Sequence, residues 1–184
     1  MKNSFIEKNE SEKKQTNSKP QTKTIFLCII IGVLIGIMLK FFVIDILHVK
    51  CSSMEPTISN EKTIVVNKLA YGIVKPFGDS LLVQWSEPHV NDIVIFLYNN
   101  NLVVKRCVAT SGTPLEYSSN SGYNLTVAGK NIPLTDIQYH RMKASNSIPK
   151  GMILAVGDNY KESIDSRNYG FIPTRNIIGK VICK

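Results

Sequence analysis

The sequence lacks the usual components of a disulfide framework, a metal site or a histidine-based hydrolase. One of its four cysteines, Cys28, lies inside an apolar run, and no cysteine or histidine spacing matches that of a metal site. The three histidines are scattered singly, and the Gly-x-Ser-x-Gly elbow of many serine hydrolases is absent. No metal or organic cofactor is therefore expected.

Residues 1–23 have no apolar periodicity and carry six lysines in polar sequence. These lysines are not interleaved with a series of aromatic residues that could stack on bases, so nucleic-acid binding is not expected. We predict a disordered basic tail that stays in the cytoplasm, because positive charge beside an apolar segment favours the inner side of a membrane. Its lysines would also attract anionic lipid.

An apolar segment follows the tail and carries no charge from Thr24 to Leu39. About 20 such residues cross the ~30 Å hydrocarbon layer of a bilayer. A buried soluble helix would rarely be apolar on every side, and a cleaved signal peptide would end in small residues rather than in the bulky residues 41–44. We predict an uncleaved single-pass anchor over residues 24–47, with residues 48–184 outside the cytoplasm.

Residues 48–184 alternate short β-type runs with turn residues and contain no long amphipathic helix. This pattern predicts one mainly β domain with a core of its own. The predicted strands are residues 63–68, 92–98, 102–108, 152–156 and 176–182.

Ser53 and Lys105 can form a nucleophile and base without any histidine. A serine hydroxyl needs a group that takes its proton, and a lysine can do this when burial lowers its pKa. Lys105 lies in the apolar run 102–108, although taken alone it is better explained as an ordinary strand lysine. A Ser-x-x-Lys pattern at residues 11–14 lies in the tail, on the wrong side of the membrane, and is set aside.

Four ordered boxes resemble those of the type I signal peptidases, which are membrane-anchored Ser/Lys proteases. Residues 53–58 resemble the Ser-Met-x-Pro-Thr-Leu box, and residues 92–96 resemble the Gly-Asp-Ile-Val-Val-Phe strand, with Asn91 at the glycine. Residues 105–108 resemble the Lys-Arg-Val-Val box. Residues 157–167 resemble the closing Gly-Asp-Asn-x-x-x-Ser-x-Asp-Ser-Arg box. The likeness covers the chain from about residue 24 to its end and implies an antiparallel-sheet catalytic domain.

The resemblance implies a role for each matching residue. Ser53 would be the nucleophile and Lys105 the general base, while the backbone N–H of Ser53 would donate to the oxyanion. Ser163 would orient the lysine by a hydrogen bond. Asp165 and Arg167 would form an ion pair, on one face of an extended segment, unless they are a solvated surface pair. The resemblance also implies that Asp158 holds its loop near the site.

In this family the substrate binds as an added β-strand, and its small residues before the cleaved bond enter shallow apolar pockets. The resemblance therefore implies that the partners are signal peptides of exported preproteins and the lipid bilayer, with cleavage at the outer membrane face. The residues at the matching pocket positions, of which Val49 and Ile58 fit core packing equally well, are Val49, Met54, Ile58 and Val104.

Three departures from the family pattern leave alternatives open. Cys51 and Ser52 precede the nucleophile where glycine or a donating serine is usual, so either side chain could assist the oxyanion. The turn after the lysine box is replaced by residues 109–113. Cys51 and Cys107 could lie near the site and pair under oxidation, or both could be small buried apolar residues.

Two other functions fit the same sequence. One is a non-catalytic accessory protein that holds secreted subunits such as pilins, and the other is a Ser/Lys protease with one dedicated substrate. The altered flank of Ser53 favours the accessory protein, whereas the presence of both Ser53 and Lys105 favours an enzyme.

Overall fold

The structure, a computed structural model, describes residues 22–75, 78–120 and 122–183. The chain divides into two compact units, residues 1–36 and 37–184. Residues 1–21, on which most of the predicted cytoplasmic tail falls, lie outside the described part.

The predicted anchor is a helix, α1 (Thr22–Phe42), whose apolar stretch from Thr22 to Lys40 is long and apolar enough to cross a membrane. The bounds of the helix differ from those of the predicted anchor, residues 24–47, whose extent in a membrane stays a prediction. The helix includes Thr22 and Lys23, and it ends at Phe42 rather than at residue 47. Residues 44–49 form a strand instead, because their backbone pairs with the next strand, and their side chains alternate between exposed and more buried positions.

The described part of unit 37–184 is mainly β, as predicted. Its strands are β1 (Ile44–Val49), β2 (Lys62–Asn67), β3 (Gly72–Val74), β4 (Leu81–Gln84), β5 (Ile93–Tyr98), β6 (Asn101–Thr110), β7 (Glu116–Ser118), β8 (Asn124–Val127), β9 (Lys130–Pro133), β10 (Met152–Val156), β11 (Ile172–Pro173) and β12 (Ile177–Cys183). Two short helices are present, α2 (Asp136–Met142) and α3 (Ser166–Tyr169). The five predicted strands correspond to β2, β5, β6, β10 and β12.

The largest sheet has the strand order β1-β2-β12-β5-β6-β10-β11, and each of its pairs is antiparallel. Strands β1 and β6 therefore run in the same direction. Strand β10 pairs with β6 only from Arg106 onward, so residues 101–105 of β6 have a strand partner on one side alone within the described residues. Strand β1 is the outer strand of the sheet. Both strands thus present unpaired backbone, a feature that can accept a further strand.

Two smaller sheets, β3-β4 and β7-β8-β9, complete the described β structure. Three buried apolar clusters support the fold. One packs the β7-β8-β9 sheet against β10, a second lies around β5 and β10, and the third joins β1, β2 and the residues after Ser53. The third cluster places the nucleophile turn beside the sheet that carries Lys105.

Candidate active site

Ser53 lies in a 3-10 turn, Ser52–Met54, that follows β1. Its side chain is buried, with the residue 3% exposed. Met54 is buried in the third apolar cluster and anchors the turn from below. From the other side, the backbone N–H of Asn159 donates to the carbonyl oxygen of Ser53 at 3.1 Å. Ser53 is therefore fixed by apolar packing on one side and by a loop hydrogen bond on the other.

Lys105 lies on β6, one residue before the point where β10 begins to pair with that strand. It is 4% exposed, and its Nζ lies 2.6 Å from Ser53 Oγ. Burial lowers the pKa of Lys105 from its usual value, and the charge of Arg167 acts in the same direction, while Asp165, Cys51 and Asp158 oppose the change. A buried lysine with a lowered pKa can be neutral and accept a proton.

Asp165 and Arg167 form a buried ion pair next to this site. The two residues are 0% and 1% exposed, and the guanidinium donates to both carboxylate oxygens at 2.9 Å. The geometry differs from the extended segment that we predicted. Asp165 caps α3 and accepts the N–H of Arg167, so the pair forms across the first turn of a helix.

The same ion pair shapes the loop that covers Ser53. Asp165 also accepts the backbone N–H of Gly157 at 3.0 Å, and Arg167 donates to the carbonyl oxygens of Tyr160 and Ser163. A Cβ at Gly157 would collide with Ser163 Oγ and with the carbonyl oxygen of Ser53. The loop can therefore approach the nucleophile only with glycine at this position.

A second ion pair joins the loop to the strand of the base. Asp158 accepts from Arg106 at 2.6 and 2.8 Å, and Arg106 also donates to Thr57 Oγ1 at 3.2 Å. Burial alone would raise the pKa of Asp158, but the hydrogen bonds from Arg106 and Thr57 hold it below its usual value. Arg106 of the lysine box thus contacts both Thr57 of the serine box and Asp158 of the closing box.

A groove of about 450 Å³ opens onto Ser53 and Lys105. Among the predicted pocket residues, Val49, Met54 and Val104 line it. Ile58 is not among the described lining residues and is 1% exposed in the third cluster, so the structure places it in the core.

Comparison with known proteins places these boxes in one family. The profile of "Signal peptidase, peptidase S26" matches residues 22–184. The chain belongs to the signal peptidase family. The signal peptidase I of Buchnera aphidicola subsp. Baizongia pistaciae is 26% identical, over 88% of this chain and 75% of its own length.

Two further relatives cover most of this chain. The signal peptidase I of Bacillus caldolyticus is 28% identical, over 78% of this chain and 80% of its own length. Thylakoidal processing peptidase 1 of Arabidopsis thaliana is 26% identical over 82% of this chain, which spans only 44% of that relative's length. Family membership confirms the predicted enzyme class, a type I signal peptidase.

The predicted hydrogen bond between Ser163 and Lys105 is not formed in this signal peptidase. Ser163 Oγ is buried and has no hydrogen-bond partner among the described residues. The loop geometry above brings Ser163 against Gly157, beside the nucleophile turn. Its assignment as the residue that orients the lysine stays a prediction.

The two residues before Ser53 make other contacts in the structure, and their assistance to an oxyanion stays a prediction. The hydroxyl of Ser52 donates to the carboxylate of Glu162, so its proton is already engaged. Ser53 N–H, the expected oxyanion donor, donates to Cys51 Sγ at 3.4 Å. A substrate oxyanion would therefore have to displace this thiol. Cys51 and Cys107 are both free thiols, and Cys107 is buried in the core, where burial raises its pKa to about 12.

Asn91 and the replaced turn, residues 109–113, both depart from the family pattern and both have local explanations. Asn91, at the usual glycine, has a φ of +74°, and asparagine tolerates this left-handed region better than most residues. The replaced turn is closed by a hydrogen bond from Thr113 N–H to the carbonyl of Thr110 at 3.1 Å, with Gly112 at a φ of +80°. The turn is rebuilt around its one glycine.

Sequence reasoning missed three contacts of the site. Arg106 lies in the lysine box directly after Lys105, and this position could have indicated a partner for Asp158. Asn159 and Glu162 hold the nucleophile turn, and no local pattern marks them for this role. No group of three or more histidine, cysteine or acidic side chains within the described residues could hold a metal ion.

Proposed function

We propose that this chain is a membrane-anchored serine endopeptidase that removes signal peptides from exported preproteins, with Ser53 as nucleophile and Lys105 as general base. The observation that carries the proposal is the 2.6 Å contact between Lys105 Nζ and Ser53 Oγ, both buried at the end of a groove. The burial of both side chains distinguishes this contact from an ordinary surface hydrogen bond of lysine, because here the amine is removed from water.

The reaction follows from this geometry. The neutral amine of Lys105 takes the proton of Ser53 Oγ as the oxygen attacks the substrate carbonyl carbon, and an ester to Ser53 forms when the peptide bond breaks. The resulting ammonium returns its proton to the leaving amine. Water then hydrolyses the ester by the same route. Ser53 N–H stabilises the oxyanion once the carbonyl oxygen replaces Cys51 Sγ on it.

The substrate binds as a strand in the gap between β1 and β6. Both strands present unpaired backbone there, and the groove lies between Val49 on one side and Val104 on the other. Strand β1 begins directly after α1, so its upstream end marks the side from which a membrane-inserted substrate arrives. The substrate strand therefore runs parallel to β1 and β6, with the cleaved bond at Ser53. Small residues before that bond fit the apolar lining.

Helix α1 anchors the enzyme, and the basic residues of the tail keep the N-terminus in the cytoplasm. The catalytic unit then faces the outer side of the membrane, where the end of a translocated signal peptide emerges. Protease protection of an N-terminal tag in sealed membrane vesicles tests this topology.

The deciding experiment is cleavage of a preprotein with an Ala-x-Ala site by the full-length protein in detergent. Wild type should cut at the signal junction, whereas Ser53→Ala and Lys105→Ala should each lose at least about a thousandfold in rate. Ser59→Ala and Lys62→Ala, which change exposed residues away from the groove, are matched controls. Equal cutting by wild type and Ser53→Ala would exclude the mechanism.

The engaged Ser53 N–H keeps one rival function open, an accessory protein that binds secreted subunits without cutting. That function predicts tight, saturable binding of the preprotein by a folded wild-type protein that yields no product. Cleavage of only one exported protein among many would instead support a dedicated protease.

A further inference from the structure

A second cavity of about 470 Å³ lies beside the active-site groove. Its lining is mostly apolar and comes from the end of α1, from β1, β2, β3, β5, β6 and β12, and from the residues that follow β3. Two residues, Leu47 on β1 and Leu102 on β6, line both the cavity and the groove.

The cavity and the active-site groove lie one after the other along β1. Side chains of a strand alternate between its faces, and the inward residues Asp45 and Leu47 line the cavity, while Leu47 and Val49 line the groove. The cavity therefore lies at the upstream end of the same gap between β1 and β6. In the proposed binding mode, the substrate residues that precede those bound in the groove therefore lie along the cavity.

We propose that this cavity binds the apolar segment of the signal peptide, upstream of the small residues that enter the groove. The inference rests on the proposed function and adds a second substrate-binding subsite to it. From Val49 back to Asp45 a strand covers roughly 13 Å, so the occupant would be the substrate residues roughly four to seven positions before the cleaved bond. In a signal peptide these positions reach the end of its apolar region.

The chemistry of the lining favours an apolar peptide. Ile73 and Ile178 contribute branched aliphatic surface on opposite elements, β3 and β12. Three lining residues are charged. Asp45 pairs with Lys68 at 3.9 Å, and Lys75 is exposed, so its ammonium can stay in water while its stem adds apolar surface. Desolvated apolar side chains are the ligands that such a surface stabilises.

A peptide fits this place better than a lipid acyl chain. Strand β1 is the outer strand of its sheet, and residues 101–105 of β6 lack a second strand partner within the described residues. Unpaired backbone N–H and C=O groups flank the cavity, and a peptide can satisfy them while its side chains enter the apolar space. An acyl chain would leave these groups without partners.

The test compares two substrates on full-length protein in detergent. One is a preprotein with its complete apolar segment, and the other is a short peptide that begins three residues before the cleaved bond. Ile73→Trp should fill the cavity and lower kcat/KM for the preprotein by about tenfold. The short peptide does not reach the cavity, so its kcat/KM should change by less than about twofold.

Leu82→Trp is the control on the same hairpin, because Leu82 on β4 is 61% exposed and is not among the residues that line the cavity. It should leave both substrates unchanged. Equal losses in Ile73→Trp and Leu82→Trp would mean that added bulk on the hairpin, rather than in the cavity, lowers the rate, and would overturn the proposal. An equal loss for both substrates in Ile73→Trp would also overturn it and would favour a bound lipid or a structural role.

A crosslinking measurement keeps the proposal testable if Ile73→Trp fails to fold. A preprotein with a photoreactive apolar residue about five positions before the cleaved bond is bound to Ser53→Ala, which retains it uncut. Crosslinks to β3 or β12, located by mass spectrometry, are expected, and crosslinks confined to detergent or lipid would overturn the proposal. If wild type cuts neither substrate, the proposed function itself has failed. If it cuts the short peptide and only the cavity results are negative, the subsite alone has failed.

Discussion

The two halves of the catalytic pair are held by different kinds of structure. Lys105 belongs to a strand between two others, and burial in that sheet lowers its pKa. Ser53 belongs to a short turn, and a loop with buried ion pairs and hydrogen bonds fixes it. Burial in the sheet is therefore the largest influence on the pKa of Lys105, while the loop determines the position of Ser53.

The reactivity of Lys105 and the position of Ser53 therefore depend on different features of the structure. The pKa of a buried lysine depends on its burial and on the charges around it, whereas the position of a turn serine depends on polar partners at defined distances. Mutations that change the burial of Lys105 or the charges near it should then change the pH dependence of cleavage. Mutations that remove only hydrogen bonds or ion pairs of the loop should change stability and the rate at every pH. The predictions below test that division, from the largest expected effect to the smallest.

Replacing Lys105 with methionine should abolish cleavage, by about a thousandfold or more, because the base is lost. The same change should stabilise the fold by about 1 kcal/mol at neutral pH, since a buried ionisable group becomes apolar. Because the native pKa of Lys105 is lowered, the unfolded chain binds more protons, and wild-type stability rises with pH through that window. The advantage of Lys105→Met in thermal unfolding should therefore shrink as pH rises.

Lys130→Met is a suitable control for that experiment, since Lys130 is outside the groove and its Nζ donates to Asn91. It should neither abolish cleavage nor show a pH-dependent gain. A Lys105→Met protein that is less stable than wild type at neutral pH would contradict the view that burial penalises this charge.

Replacing Arg167 with methionine should lower the free energy of unfolding by about 3–5 kcal/mol, because Asp165 would remain buried without its partner. Arg106→Met is the matched comparison. Its pair with Asp158 has side chains 19% and 17% exposed, so water can partly replace the guanidinium. A loss of about 1–2 kcal/mol is expected there by denaturant unfolding. Equal losses would show that depth of burial does not distinguish the two pairs.

The pH dependence of kcat/KM should show a rising limb at a pH below the usual lysine value of about 10.4, because cleavage needs neutral Lys105. The charge of Asp158 raises the pKa of Lys105, so Asp158→Asn should move that limb to lower pH, by less than about one pH unit. Asp136→Asn, an exposed acid on α2, should leave the limb in place. A limb that moves to higher pH in Asp158→Asn would contradict the assignment of Lys105 as the base.

Thiol modification should distinguish Cys51 from Cys107. Cys51 is exposed in the groove, and its Sγ accepts the N–H of Ser53. Methylthiolation of this sulfur should therefore block cleavage, and a reductant should restore it. Cys107, with a pKa raised to about 12, should react only after unfolding. Cys51→Ala should cleave within about tenfold of wild type and resist the reagent. Inhibition by an oxidant that Cys51→Ala does not relieve would exclude a Cys51–Cys107 pair.

The smallest effect is expected for Ser163→Ala on stability. Its buried hydroxyl has no partner among the described residues, so its removal should change the free energy of unfolding by less than about 1 kcal/mol. If Ser163 orients Lys105 during turnover, kcat should still fall by about tenfold, and Ser163→Thr should restore part of it. A stability loss without any change in kcat would assign Ser163 a packing role only.

Much of the fold was predictable because its signals are local. The apolar run that became α1 and the β-type runs that became β2, β5, β6, β10 and β12 each satisfy a periodicity that a short window reveals. Strand β1 was missed because Ile44 and Ile46 continue the apolar composition of the helix, and only pairing with β2 separates them from it. The strands of the β7-β8-β9 sheet are too short to stand out from their turns.

The sequence by itself determined the residue types of the chemistry: a serine, a lysine and a closing box in an order that predicts the family. Only the tertiary structure decided their environments. It placed Cys51 Sγ on Ser53 N–H, buried the Asp165–Arg167 pair across a helix turn, and moved Ile58 into the core. It also set the second cavity beside the groove, because Leu47 and Leu102 come from strands that run parallel across a gap. Residue identity is local information, whereas burial, pKa and the width of a gap depend on which distant segments pack together.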